Sequence, residues 1–202
     1  MSPTSTRGRP PASSRQAIES VAVDLFLRDG YSQTTVSAIA EASGVSTTTF
    51  FRYFSSKAEI VWAEFDEHTR RLREHLESDD GRDRVLSAVR VAAIETLRPD
   101  LDPGGLSMRR FRLLDGSAEL RSEESEHWQS WADAVADFVA RRAGLPPRAP
   151  VPAAIGSAIQ ATVLAVLRGW TGREVDPDAI LTDLDAALVP ICDALEPLLP
   201  GQ

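Results

Sequence analysis

A chain of 202 residues with 43% hydrophobic side chains is long enough to enclose a packed core, which excludes a wholly disordered protein. The formal net charge of −8 argues at first against nucleic acid, and a single cysteine, Cys192, excludes an intramolecular disulfide and reads as a core thiol. With no run of about 18 apolar residues and no apolar leader, the expectation is a soluble, cytoplasmic protein with no membrane partner.

The charge is uneven along the chain. Residues 1–57 carry six basic side chains (Arg7, Arg9, Arg15, Arg28, Arg52 and Lys57) against four acidic ones (Glu19, Asp24, Asp29 and Glu41), a balance of +2 that leaves −10 for the remainder. A mildly basic head on an acidic body suits a chain of which only one end meets a polyanion, because the local field governs attraction.

Residues 1–13, MSPTSTRGRPPAS, lack an apolar period and read as a flexible arm. Within them Arg7-Gly8-Arg9-Pro10 resembles the core of an AT-hook, whose arginines enter a narrow minor groove; a solubilising tail is an equally weighted alternative. Ser13 with Gln16 boxes the start of a first helix, whose Ile18, Val21, Ala22, Leu25 and Phe26 form one stripe up to Gly30.

Thr35 caps a second helix with an apolar face of Val36, Ile39 and Ala40; Gly44 supplies the left-handed residue that ends it, and Ser46 caps a third. On that third helix Phe50 and Phe54 share the packing side, while Thr47, Thr48, Phe51 and Arg52 share the other and can reach base edges and thymine methyls in a major groove. Thr49 and Tyr53 flank towards phosphates, and Thr35 and Ser37 are placed for the DNA backbone or a base edge. Ser56 and Glu59 form a capping-box pattern around Lys57, whose ammonium suits a phosphate oxygen. This is helix-turn-helix grammar, with an ordinary αα-hairpin as the alternative.

These residues, preceded by AIESVAVDLFLRDGYSQTTV, resemble the N-terminal domain of TetR-family transcriptional regulators. Gly30-Tyr31, Thr34-Thr35-Val36, Ile39-Ala40, Gly44-Val45-Ser46, Thr49-Phe50, Tyr53-Phe54 and Lys57 fall at the family's positions, over about a quarter of the chain. Phe51 departs from the tyrosine usual at its site, which leaves Tyr53 more of the polar work. The resemblance implies an all-α homodimer, a palindromic double-stranded DNA operator, and release of DNA when a small-molecule effector enters the C-terminal domain; it implies no cofactor. The domain division is then a flexible arm at 1–13, a three-helix DNA-binding domain at 14–57, and a ligand-binding and dimerisation domain at 58–202.

Beyond the head, Ile60, Val61, Trp62, Phe65, Leu72 and Leu76 mark a long helix from Ser56, a rigid link able to move the reading head when its far end is pushed. A further helix runs from Asp83 to Leu97. In SMRRFRLL, Arg109, Arg110 and Arg112 are dense enough to bind an anionic ligand group, or pair instead with Glu119, Glu123, Glu124 and Glu126. The helix from Ala118 to Ala143 turns His127, Trp128 and Trp131 inward with Leu120, Val135, Phe138 and Val139. The expected ligand set is therefore Trp62, Phe65, Arg109, Arg112, His127, Trp128 and Trp131, with a filled core as the alternative. This half resembles the actinobacterial members that sense long-chain acyl-CoA thioesters.

Two last helices, Ala153 to Thr171 and Pro177 to Leu199, are rich in small and apolar residues and suit a homodimer interface. Two heads roughly 34–36 Å apart then meet the two half-sites of an operator. His68, His75 and His127 have no metal-binding spacing, and no nucleophile elbow or phosphate loop appears, so neither a metal nor catalysis is expected. Two alternatives remain: a constitutive DNA binder without an effector, and a helical small-molecule protein that does not bind DNA.

Overall fold

Hydroxyl caps and left-handed glycines divide the chain into α1 (Arg15–Asp29), α2 (Val36–Ala42), α3 (Thr47–Tyr53), α4 (Lys57–Glu77), α5 (Val85–Leu97), α6 (Leu106–Gly116), α7 (Leu120–Arg142), α8 (Pro150–Trp170) and α9 (Pro177–Leu195). The computed structural model describes residues 14–101, 105–117 and 120–200, with the backbone alone at 121–125, and no strand occurs among them. The all-α expectation holds. Two compact units divide between Val61 and Trp62, about one helical turn beyond the boundary read at Lys57.

In the first unit, α1 is capped by Ser14, whose Oγ accepts the Ala17 N–H at 3.1 Å. The cap therefore falls one residue later than the expected Ser13 and Gln16 pair, and Ser13 itself lies outside the described residues. Thr35 and Ser46 cap α2 and α3 as expected, accepting from Ala38 and Thr49 at 3.1 and 3.0 Å. Gly44, at φ +67°, closes α2: its N–H reaches Glu41 O and the next N–H, of Val45, reaches Ala40 O, which satisfies carbonyls the helix end leaves open. Ile18, Ala22, Phe26, Ile39, Phe50, Phe54 and Ile60 fill the core; Val23 is fully buried, whereas Val21 of the expected stripe is half-buried.

In the second unit α7, α8 and α9 pack in succession, α5 lies against α7 and α9, and α6 against α7 and α8. Leu72, Leu86, Val89, Trp131, Val135, Phe138, Ile155, Ile159, Ile180, Leu184 and Leu188 form the centre. The backbones of α7 and α8 approach closely at Gly156, where an added Cβ would stand 2.4 Å from the Ala132 carbonyl oxygen.

Several helix ends differ from expectation. The Glu196 side chain, in a residue only 2% exposed, accepts the N–H groups of Val85 and Leu86 at 3.1 and 2.9 Å, so α5 starts at Val85 and not Asp83. Pro197 turns the chain after Leu195 into a short 3-10 segment, which stops α9 before Leu199. Pro150 occupies the first position of α8, where its missing N–H costs nothing, and so extends that helix back from Ala153.

Among the described residues α8 is long and apolar enough to cross a membrane by length and composition alone, a test that the core helix of a soluble protein also passes.

Candidate functional site

The α2–turn–α3 motif is held from three directions. Thr34 is buried and its hydroxyl donates to the Gly30 carbonyl at 2.8 Å, which fixes the entry to α2. Arg15 of α1 donates to the Tyr53 carbonyl at 2.7 Å and to Glu59 at 3.1 Å, with its guanidinium 4.6 Å from the centre of the Phe54 ring. It thereby ties α1 to the end of α3 and the start of α4. Sequence reasoning counted Arg15 only as charge, because nothing local signals partners so distant along the chain.

Lys57 is the third support. Its Nζ donates to the carbonyls of Tyr31 and Thr34 at 2.7 and 3.2 Å and sits 4.3 Å from the Tyr31 ring centre. Two of the three N–H donors thus hold the α1–α2 connection. Ser56 caps α4 through the Glu59 N–H at 3.3 Å, but the Glu59 carboxylate bonds Ser55, at 2.6 Å to its N–H and 2.8 Å to its hydroxyl, in place of the Ser56 N–H a capping box predicts. Those bonds, the backbone one first, then the Ser55 hydroxyl and Arg15, hold the Glu59 carboxyl below its ordinary range.

With Phe50 and Phe54 buried, α3 presents Thr47, Thr48, Phe51 and Arg52 outward, all exposed. The Arg52 guanidinium lies 5.0 Å from the Tyr53 ring centre and 3.4 Å from its hydroxyl. Thr49 is half-buried and its hydroxyl accepts from Ser46 at 3.0 Å. Thr35 and Ser37 are exposed on the first turn of α2 and its cap, and the capping oxygen of Thr35 accepts, which leaves its proton to donate outward. Arg7 and Arg9 lie outside the described residues.

The expected ligand set is only partly brought together. Trp62 stacks on His127, ring centres 4.2 Å apart and 6° from parallel, and meets Phe65 edge-on at 6.0 Å; Phe65 in turn meets Trp128 at 4.3 Å. His127 Nδ1 lies 2.6 Å from Asp66 Oδ1. Trp131, also on α7, is buried in the core of the second unit.

The arginines separate. Arg112 is exposed and faces a depression of about 480 Å³ shared with Asp115, Gly116, Thr171 and Gly172. Arg109 is half-buried, and Arg110, absent from the expected set, is the buried one at 6% exposure, paired with Glu64 of α4. Glu64 also accepts the Ser107 hydroxyl at 2.5 Å. Of the acidic partners expected instead, Glu126 is exposed and the side chains of Glu119, Glu123 and Glu124 lie outside the described residues. Cys192 is buried, and burial pushes its thiol up to about 11. No group of three metal-ligating side chains gathers among the described residues.

Two family models match the chain: one described as bacterial regulatory proteins, tetR family, over residues 18–63, and one described as the MftR C-terminal domain, over residues 83–199. A Mycobacterium tuberculosis protein assigned as the mycofactocin biosynthesis transcriptional regulator MftR is 28% identical over 167 residues, covering 83% of this chain and 84% of its own. The complex of SmeT with triclosan has the same fold, with a TM-score of 0.64 at 24% identity over 91% of each chain. The Thermus thermophilus repressor FadR, solved with lauroyl-CoA, does so with a TM-score of 0.53 at 20% identity over 88% of this chain and 93% of that one.

Proposed function

The chain belongs to the TetR family of transcriptional regulators, and from that premise we propose that it is a repressor that binds a palindromic operator as a homodimer and releases it when a small hydrophobic or acyl-CoA-like effector binds. The observation that carries this reading is the outward face of α3, where Thr47, Thr48, Phe51 and Arg52 stand exposed on a helix fixed at its start by Ser46 and at its end by Arg15. Two hydroxyls, an aromatic edge and a guanidinium in consecutive turns form a major-groove reading set, and Thr35, Ser37, Tyr53 and Lys57 flank it for phosphates.

The effector reading rests on the aromatic cluster of Trp62, Phe65, His127 and Trp128, a surface suited to an acyl chain or a drug-sized apolar molecule. Lauroyl-CoA on FadR and triclosan on SmeT are ligands of that kind on relatives of the same fold. Because α4 begins at Lys57 and carries Trp62, Glu64 and Phe65, an effector that moves this helix biases the reading head.

A gel-shift titration against DNA from upstream of the protein's own gene, with and without lauroyl-CoA, tests both halves. Specific binding that lauroyl-CoA abolishes, and that Thr48→Ala strips of sequence preference, is the expected result. Binding that ignores lauroyl-CoA retires the acyl-CoA effector, and a Thr48→Ala protein with unchanged preference removes α3 as the reader.

A further inference from the structure

We propose that Trp62, Asp66 and His127 form a proton-operated latch between α4 and α7, closed more firmly when the imidazole is protonated, so that mild acid opposes opening of the aromatic cluster. Its consequence for DNA release rests on the effector reading above; the latch itself does not.

The three residues meet within the second unit. The indole and the imidazole lie 6° from parallel with their centres 4.2 Å apart, and His127 Nδ1 stands 2.6 Å from Asp66 Oδ1. A carboxylate only accepts, so Nδ1 holds a proton in either charge state and the added proton goes to Nε2. Imidazole is the side chain that ordinarily changes charge between about pH 5 and 8. With 27% of the His127 side chain exposed, solvent protons reach it.

Protonation strengthens both contacts at once. The hydrogen bond to Asp66 becomes an ion pair, and the ring stacked on Trp62 becomes a cation over an indole face. Trp62 is 4% exposed and its Nε1–H has no acceptor among the described residues, so ring contacts with His127 and Phe65 orient it instead of a hydrogen bond.

The charges around His127 favour the cation. Of α4, Asp66 is in contact, while Arg70 is held by Glu67 and Glu74, and Arg73 by Ser130. On α7, Glu123 and Glu124 stand four and three positions earlier in the helix and Glu126 adjoins. The arginines of the helices packed on α7 are turned elsewhere: Arg84 and Arg90 of α5 to Asp193 and Asp185, and Arg110 of α6 to Glu64. From α8 comes a neutral group, Gln160, which donates to the Trp128 carbonyl.

His68 supplies the contrast. Its Nδ1 lies 2.8 Å from Asp100 and 3.2 Å from the Thr96 carbonyl, but Asp100 also accepts from Arg71, so the charge there is already balanced. An effector entering the aromatic cluster has to part Trp62 from His127, and no such requirement falls on His68.

Hydrogen exchange of the α4 amides from Trp62 to Thr69, corrected for the intrinsic pH dependence of exchange, reads the latch without an effector. Wild type is expected to be about fivefold better protected at pH 5.5 than at pH 8, the order that one partly exposed ion pair and one cation–π contact support. His127→Gln loses that difference, Asp66→Asn keeps part of it and His68→Gln keeps it, with circular dichroism checking that each variant is folded. Equal wild-type protection at the two pH values overturns the proposal, as does a difference undiminished in His127→Gln.

With lauroyl-CoA as the probe in the gel shift, the concentration that half-releases the upstream DNA is expected to rise by the same factor from pH 8 to pH 5.5 in wild type and to stay level in His127→Gln. An equal rise in His127→Gln removes the latch from the effector response. No release at either pH overturns the effector reading while the exchange result still decides the latch, so the two failures are distinguishable.

Discussion

Lys57 supports the head through hydrogen bonds of its own. An ammonium that donates to two carbonyls from the Tyr31–Thr34 connection stabilises the entry to α2, and charged hydrogen bonds of this kind contribute about 1.5–3 kcal/mol. Lys57→Ala is therefore expected to lower the opening free energy of the first unit by about 2 kcal/mol, measured by hydrogen exchange of its amides, in addition to any loss of phosphate contact. A variant that lost DNA affinity with exchange unchanged would assign Lys57 to phosphate alone.

Glu59 gives the same unit a dependence on acid. Its carboxyl is held below the ordinary range by the Ser55 N–H first, and then by the Ser55 hydroxyl and Arg15. A depressed carboxyl stabilises fully above its unfolded value, about 4.3, and loses that contribution as the pH falls through its native value. Hydrogen-exchange protection in α1 and α3 is expected to fall more between pH 7 and pH 3 in wild type than in Glu59→Gln. At Cys192, a thiol pushed up to about 11 is almost wholly protonated near neutrality, so the folded protein should react with a disulfide reagent far more slowly than the urea-unfolded chain.

Residues that act through their immediate neighbours were legible in the sequence: Thr35 and Ser46 cap, Gly44 turns, and Phe50 and Phe54 face inward. Arg15, Lys57 and Arg110 were not, because their partners Tyr53, Tyr31 and Glu64 lie far along the chain and no spacing rule connects them.

The helices follow the same division. Their periods were read from the spacing of apolar residues, and the disagreements lie at ends set by distant groups or by proline: the Glu196 carboxylate at the start of α5, Pro150 in α8 and Pro197 after α9. Glu196→Ala leaves two helix-terminal N–H groups and their surroundings without the carboxylate, and is expected to cost about 2–3 kcal/mol in urea unfolding, with Glu196→Gln intermediate.

At Gly156 the backbones of α7 and α8 lie close together. A methyl there meets the Ala132 carbonyl, a backbone atom that moves only with its helix, so Gly156→Ala should destabilise by about 1–3 kcal/mol although it raises helix propensity. An unchanged or higher unfolding midpoint would mean that the helices are free to slide apart.

At the scale of the whole molecule, the all-α class and the family were legible because the helix-turn-helix motif concentrates many specific residues in a short stretch. The residues expected to form a ligand set gather only in part: Trp62, Phe65, His127 and Trp128 meet, whereas Arg112 faces elsewhere, because the arginines of α6 point in different directions around a helix. The small-residue face of α8, with Ala154, Ser157, Ala161 and Ala165 exposed, and the exposed Val189 of α9 suit a second copy of the chain. On that reading Ala165→Arg places a large charge between the copies and is expected to yield a monomer by light scattering, with DNA affinity reduced together with it.

The central claim is that the face of α3 reads a specific DNA sequence. A polarisation titration of wild type against its own upstream fragment and a scrambled fragment of equal composition, at two salt concentrations, tests it most directly. The account predicts much tighter binding to the upstream fragment, with affinity for both falling as salt rises and counterions are released less favourably. Equal affinity for the two fragments, or none for either, would contradict it.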